Sequence, residues 1–119
     1  TDGHPRKYAS FPRKYNRYVR EQGLLSLPQF VQRSAALPAE ILGLSDRGML
    51  KDGLISDVVV FDPDAYRDAA TFQAWNTLTP GVQWLFLAGK PVIEKGGYSG
   101  ILAGQNLALP SVSATVGAQ

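Results

Sequence analysis

The chain has 119 residues, 45% of them hydrophobic, with no cysteine and a formal net charge of +2. That length suits one modest domain and falls far short of the roughly 250 residues that a closed (β/α)8 barrel takes. The absence of thiols excludes disulfides and thiolate metal ligands within the chain, the small net charge supplies no field that would by itself draw nucleic acid or a membrane, and no apolar run approaches the ~18 residues of a membrane span. No signal peptide opens the chain, which leaves the cytoplasm as the default compartment.

Thr1–Phe11 is polar, contains Gly3 and Pro5, and reads as a loop. Pro12 suits the first turn of a helix, where its missing N–H leaves no bond unmade. Phe11, Tyr15, Tyr18 and Val19 then recur at helical spacing, Arg13, Asn16, Arg17 and Arg20 take the other side, and Gly23 is the stop. The spacing predicts a helix over Phe11–Gly23. A second helix is predicted over Ser26–Ala36, because Ser26 and Gln29 have capping-box spacing and Pro28 sits in the first turn. Its apolar face is Leu27, Phe30, Val31 and Ala35. Pro38 opens a shorter turn of helix, Ala39–Leu42, closed by Gly43.

Gly48-Met49-Leu50 is expected as a short leading strand, and Lys51-Asp52-Gly53 as a tight turn, since Asp-Gly tolerates left-handed backbone. Ser56–Asp62 carries the strongest strand signal, three Val and a Phe closed by Asp62-Pro63. A run with so little alternation suggests a strand covered on both faces, with Val59 and Phe61 buried. Asp64–Ala70 is expected as a turn or short helix, and Thr79-Pro80-Gly81 as a turn. Val82–Ala88 is a second strand that places Val82, Trp84 and Phe86 on one side, Leu85 and Leu87 on the other, and Trp84 and Phe86 in the interior. Ala88-Gly89-Lys90 connects it to Pro91–Glu94, and Gly96-Gly97 ends the hairpin. Residues 109–119 are small and polar, without period, and are expected as a mobile tail.

The order of short motifs carries a resemblance. Gly48-x-Leu50-x-x-Gly53-x-x-Ser56-Asp57-Val58-Val59-Val60-Phe61-Asp62 resembles the segment by which amidohydrolase-superfamily enzymes leave their barrel and enter a small β-sandwich. The position of Ser56 is usually Ala there, and that of Ala88 usually Asn. His4-Pro5-Arg6, Phe11-Pro12-Arg13, Tyr18-Val19-Arg20, Leu37-Pro38-Ala39 and Gly43–Gly48 follow one another in an order similar to that of the N-acyl-D-amino-acid deacylases, or D-aminoacylases. The resemblance runs from Asp2 to Leu107. It implies an α/β fold: the C-terminal end of a (β/α)8 metallo-dependent hydrolase barrel with closing helices over residues 1–45, C-terminal strands of a small β-sandwich over 46–108, and the tail over 109–119.

The same resemblance implies site residues. Asp2, at the end of the last barrel strand, would be catalytic, taking a proton from the attacking water and returning it to the leaving amine, work that a carboxylate can do within hydrogen-bond reach. In the family a longer run separates the Asp-Gly from the His-Pro-Arg, whereas Asp2-Gly3 and His4-Pro5-Arg6 are adjacent here. Arg6 would bind the substrate carboxylate through its guanidinium fork. The cofactor of the complete enzyme would be zinc, and a zinc site needs about three converging protein ligands. The chain offers His4, its single histidine, and Asp2. His4 reads as a loop residue against Pro5 rather than a ligand. Asp57 and Asp62, which flank the strongest strand, read as carboxylates accepting backbone N–H groups at turns.

The expected function is therefore a part of a zinc-dependent hydrolase of N-acyl-D-amino acids. Its partners would be the small-molecule substrate and the remainder of the enzyme or an intimate partner chain, with no nucleic acid and no membrane. Two alternatives stay open. One is a non-catalytic binding or structural module. The other is a nucleic-acid-binding segment over Arg6–Arg20, where Arg6, Lys7, Arg13, Lys14, Arg17 and Arg20 interleave with Tyr8, Tyr15 and Tyr18.

Overall fold

The computed structural model describes residues 4–108. Helix α1 spans Arg6–Tyr15 and runs without interruption into a π-helical segment, Asn16–Glu21. Helices α2, Leu27–Ser34, and α3, Ala36–Ile41, follow. The second half is a four-stranded antiparallel sheet in the order β1-β2-β3-β4: Val58–Phe61, Val82–Leu87, Lys90–Glu94 and Gly97–Tyr98.

The first helix starts earlier than Pro12 predicts. Pro12 lies in its interior, where it removes the N–H that would bond the Tyr8 carbonyl. That carbonyl is satisfied from elsewhere: the Thr79 hydroxyl donates to it at 3.0 Å. The proline ring is itself buried. The capping box at Ser26 forms as its spacing predicts, with Gln29 N–H on the Ser26 hydroxyl at 3.4 Å and Ser26 N–H on Gln29 Oε1 at 2.8 Å. Helix α2 ends at Ser34 rather than Ala36, because Pro38 has no N–H for the Ser34 carbonyl and its ring would clash there. Ala35 breaks the backbone at φ −130° and ψ −71°, and α3 begins at once. Lys14 closes the α2 C-terminus, donating to Arg33 O at 3.4 Å and Ser34 Oγ at 3.1 Å.

Gly48–Leu50 forms no strand; the segment is bend and loop. At Gly48, φ is +93° and an added Cβ would lie 2.6 Å from Ala39 Cβ, so the chain there presses on α3 instead of pairing with a sheet. Lys51-Asp52-Gly53 does turn, with Leu54 N–H on Lys51 O at 3.2 Å. Ala88 and Gly89 take φ values of 49° and 76° between paired Leu87 and Lys90, the two-residue turn that matches strand twist. Two bonds hold Ala88-Gly89 in place: Ala88 N–H donates to Asp57 Oδ1 at 2.9 Å and Gly89 N–H to Ser56 O at 3.0 Å. Gly96-Gly97 does not end the hairpin. Lys95 and Gly96 form a second turn of the same kind, and Gly97–Tyr98 returns as β4.

One aromatic cluster joins the helices to the sheet. Tyr15 packs on Phe30 of α2 at 5.3 Å, Phe61 of β1 at 5.9 Å and Tyr66 at 5.6 Å, and Phe61 meets Tyr66 at 4.8 Å. The Tyr15 hydroxyl donates to Pro63 O at 3.0 Å, and Arg20 donates to the same carbonyl at 2.6 Å while pairing with Asp64 at 3.0 Å. Burial pushes the Tyr66 phenol above its ordinary value of 10.0. The buried residues, Pro5, Ala9, Pro12, Tyr15, Phe30 and Ala39, all belong to the helical half. The sheet differs from expectation: Val59 is 51% exposed, and Phe61, Trp84 and Phe86 are half-buried. Its strands are apolar enough for two covering layers that the described residues do not bring. Tyr15→Phe removes one buried hydroxyl and leaves the ring contacts intact, so urea unfolding should show a loss of about 1 kcal/mol; an unchanged midpoint would show that the Pro63 bond contributes nothing.

Candidate functional site

The start of α1 carries the described part of the predicted site. Asp2 lies outside the described residues. His4 is exposed; its Nδ1 accepts from Arg6 N–H at 3.1 Å, and its ring meets Phe72 edge-on at 5.2 Å. Its bonding nitrogen therefore satisfies the helix start. Among the described residues no group of three or more His, Cys, Asp or Glu side chains converges as a metal ligand set would.

Arg6 is exposed and makes no ion pair among the described residues. Beside it opens a groove of about 500 Å³, walled by α1 on one side and by Ala70 and Phe72 on the other. Arg6, Arg13 and Arg17 all line it, spaced by seven and four positions so that they share one helix face. Lys14 also lines it, but its ammonium is held at the α2 C-terminus and sits 5.6 Å over the Phe30 ring. Arg20 is turned to Asp64. The structure therefore sorts the basic segment: Arg6, Arg13 and Arg17 line the groove, Lys14 and Arg20 are engaged elsewhere, and Lys7 is exposed. Sequence periodicity had placed Arg13 and Arg17 on a solvated face. It missed that the 70–72 loop folds back along that face, for which there is no local signal.

The interleaved tyrosines are mostly committed. Tyr15 is 4% exposed in the aromatic cluster, and Tyr8 packs against Trp75 at 6.0 Å. Asp57 proves structural, as its position at a strand end suggests: it accepts from Ala88 N–H and pairs with Arg47 at 2.8 Å. Asp62 accepts from Asp64 N–H at 2.9 Å. Arg47 also bonds Asp46 at 3.1 Å, and that hydrogen bond holds the Asp46 carboxyl below its ordinary value of 3.8. A depressed carboxylate stabilises the fold above its unfolded value and loses that contribution as pH falls through its folded value. The stability difference between the native chain and Arg47→Gln, present at pH 6, should therefore shrink below about pH 4. A difference constant from pH 6 to pH 3 would show that the Asp46 bond is not its source.

No protein-family model matches the chain. It is similar to an N-acyl-D-glutamate deacylase of Alcaligenes xylosoxydans xylosoxydans, 45% identical over 92 residues that cover 77% of this chain and 19% of the relative. Its fold is similar to the crystal structure of a D-aminoacylase described as defining a novel subset of amidohydrolases, with a TM-score of 0.80 and 36% identity over 85% of this chain and 21% of that one. It is also similar to an N-acyl-D-glutamate deacylase of Bordetella bronchiseptica solved with zinc and a phosphonate mimic of the tetrahedral intermediate, with a TM-score of 0.73 and 44% identity over 75% of this chain and 19% of that one. The chain thus spans about a fifth of the length of the relatives it matches. No helix among the described residues is long and apolar enough to cross a membrane.

Proposed function

We propose that this D-aminoacylase-like chain is the closing part of a zinc-dependent amidohydrolase that cleaves the amide C–N bond of N-acyl-D-amino acids. The observation that carries the reading is the joint agreement of sequence and fold with such enzymes along most of the chain. In this reading residues 1–45 close a (β/α)8 barrel and 46–108 contribute strands to a small β-sandwich, while the tail expected over 109–119 lies outside the described residues. The half-exposed strands support it, since a sheet with so much apolar surface needs further layers. The remainder of the enzyme, or an intimate partner chain, supplies them.

The described residues do not fit zinc: His4 stands alone and already serves the helix start. Most of the zinc ligands would therefore come from the remainder of the enzyme, with Asp2 the candidate ligand from this chain. This chain's own contributions are a proton and a grip. Asp2 takes the proton from the attacking water and gives it to the departing nitrogen as the C–N bond breaks. Its support is the resemblance of Asp2-Gly3 to the family's Asp-Gly, although here it stands directly before His4-Pro5-Arg6 where the family has a longer run. Arg6 binds the α-carboxylate, supported by a guanidinium that is unpaired among the described residues and placed at the groove. A nucleic-acid role is disfavoured because stacking platforms need free rings, and Tyr8 and Tyr15 are engaged.

The test is a graft. This chain, placed in the corresponding segment of an N-acyl-D-glutamate deacylase relative, should retain zinc-dependent release of the free amino acid, while the isolated chain with zinc should release none. In the graft, Arg6→Lys keeps the charge and loses the fork, so KM should rise roughly tenfold with kcat little changed. An unchanged KM would remove Arg6 from the site. Activity in the isolated chain would overturn the division of labour.

A further inference from the structure

We propose that His4 is a positioning residue for Arg6: its imidazole, braced by Phe72, fixes the first turn of α1 and so aims the Arg6 guanidinium along the groove. The inference rests on the deacylase reading, in which Arg6 binds the substrate α-carboxylate, and adds the residue through which that grip is held.

The first N–H groups of a helix have no partner within it. Pro5 stands before α1 with φ −62° and has no N–H, so Arg6 carries the first of these orphan donors. A Ser, Thr, Asp or Asn side chain at the N-cap would ordinarily answer such donors, but Pro5 holds that place and offers no side-chain acceptor. His4 substitutes for it. Its Nδ1 accepts from Arg6 N–H at 3.1 Å, and its carbonyl accepts from Lys7 N–H at 3.4 Å. Tyr8 N–H then returns to Pro5 O at 3.1 Å. The carbonyl side of Arg6 is held as well, since Ser10 Oγ donates to Arg6 O at 2.8 Å.

The ring that accepts from Arg6 is itself held. It meets Phe72 with 5.2 Å between centroids and 78° between planes, the edge-to-face arrangement that aromatic pairs prefer. Phe72 belongs to the far wall of the groove that Arg6 lines. Further along the same loop, Trp75 packs on Tyr8 at 6.0 Å and the Thr79 hydroxyl donates to Tyr8 O at 3.0 Å. The segment that walls the groove therefore braces the start of α1 at two points, His4 and Tyr8. A guanidinium fork grips a carboxylate through two parallel bonds, so its direction matters as well as its charge. A fixed Arg6 backbone removes part of the disorder that binding would otherwise have to quench. Without the His4 bond Arg6 keeps its charge and loses its aim, which weakens substrate binding and spares the chemical step.

The experiment uses two substitutions that divide the contacts of the imidazole. His4→Phe keeps a ring for Phe72 and has no acceptor. His4→Asn gives up the ring and keeps an acceptor, Oδ1, as many bonds from the backbone as Nδ1. In the active graft, with N-acetyl-D-glutamate as substrate, His4→Phe should raise KM roughly fivefold with kcat little changed, and His4→Asn should stay within about twofold of the unmodified graft. In the 119-residue chain, nuclear magnetic resonance should show the Arg6 amide exchanging with water roughly fivefold faster in His4→Phe and within about twofold of the unmodified rate in His4→Asn. Unchanged KM in both variants, beside a raised KM in Arg6→Lys, would overturn the inference and leave the deacylase reading standing. An equal rise in both variants would overturn it by making the ring, and not the bond, the group that matters. A fall in kcat at constant KM would overturn it by placing His4 at the chemistry. Equal exchange of the Arg6 amide in all three chains would overturn the bond itself. Unchanged KM in all three variants would overturn the role of Arg6 together with that of His4, and a graft without activity would overturn the deacylase reading on which both rest.

Discussion

The structure depends on the carbonyl of Pro63 and the ring of Tyr15. Tyr15 touches a helix, a strand and the segment after that strand: Phe30, Phe61 and Tyr66 surround its ring, and its hydroxyl reaches Pro63 O. Pro63 follows β1 directly, so this bond fixes where the sheet leaves the helices. Arg20 doubles it, and the π-helical segment 16–21 follows the first donor directly and contains the second. Gly81 completes the corner. Its φ is +91°, and any Cβ there would lie 2.5 Å from Tyr66 N, so the start of β2 can approach Tyr66 only as glycine. Asp62 N–H then reaches Gly81 O at 2.8 Å.

That junction explains the asymmetry of the molecule. Burial is concentrated where helices meet the aromatic cluster, and it fades across the sheet. A sheet of Val, Trp, Leu and Phe left half-exposed marks a surface made for contact rather than for water. The same junction holds α1 at its C-terminal residue, Tyr15, while Arg6, Arg13 and Arg17 on another face line the groove. Fold and proposed site therefore meet on one helix, whose buried face holds the structure and whose charged face lines the groove.

Local features were legible in the sequence and long-range ones were not. Ser26 and Gln29 are three residues apart, so their capping box could be read directly. The turn at Ala88-Gly89 could be read as a tight connection, although Ala tolerates positive φ poorly; the Asp57 carboxylate that supports it sits 31 residues away. The early start of α1 was hidden because Pro12 is acceptable there only through Thr79, 71 residues from the Tyr8 carbonyl it satisfies. Val59 looked buried because its strand has the composition of a covered one, and composition cannot say whether the cover lies in the same chain. Arg6 is a candidate carboxylate binder only through the resemblance of His4-Pro5-Arg6 to a family motif. Arg13 and Arg17 joined it only when the 70–72 loop was seen to fold along them.

The account makes the aromatic junction self-sufficient and the sheet dependent on the rest of an enzyme. Amide hydrogen exchange on the isolated chain, and on the same chain grafted into a deacylase relative, tests this directly. The account predicts that the amides of α1 and of residues 62–66 exchange slowly in both, and that those of β1–β3 slow by roughly an order of magnitude or more only in the graft. Strand amides that exchange equally slowly in the isolated chain would contradict it.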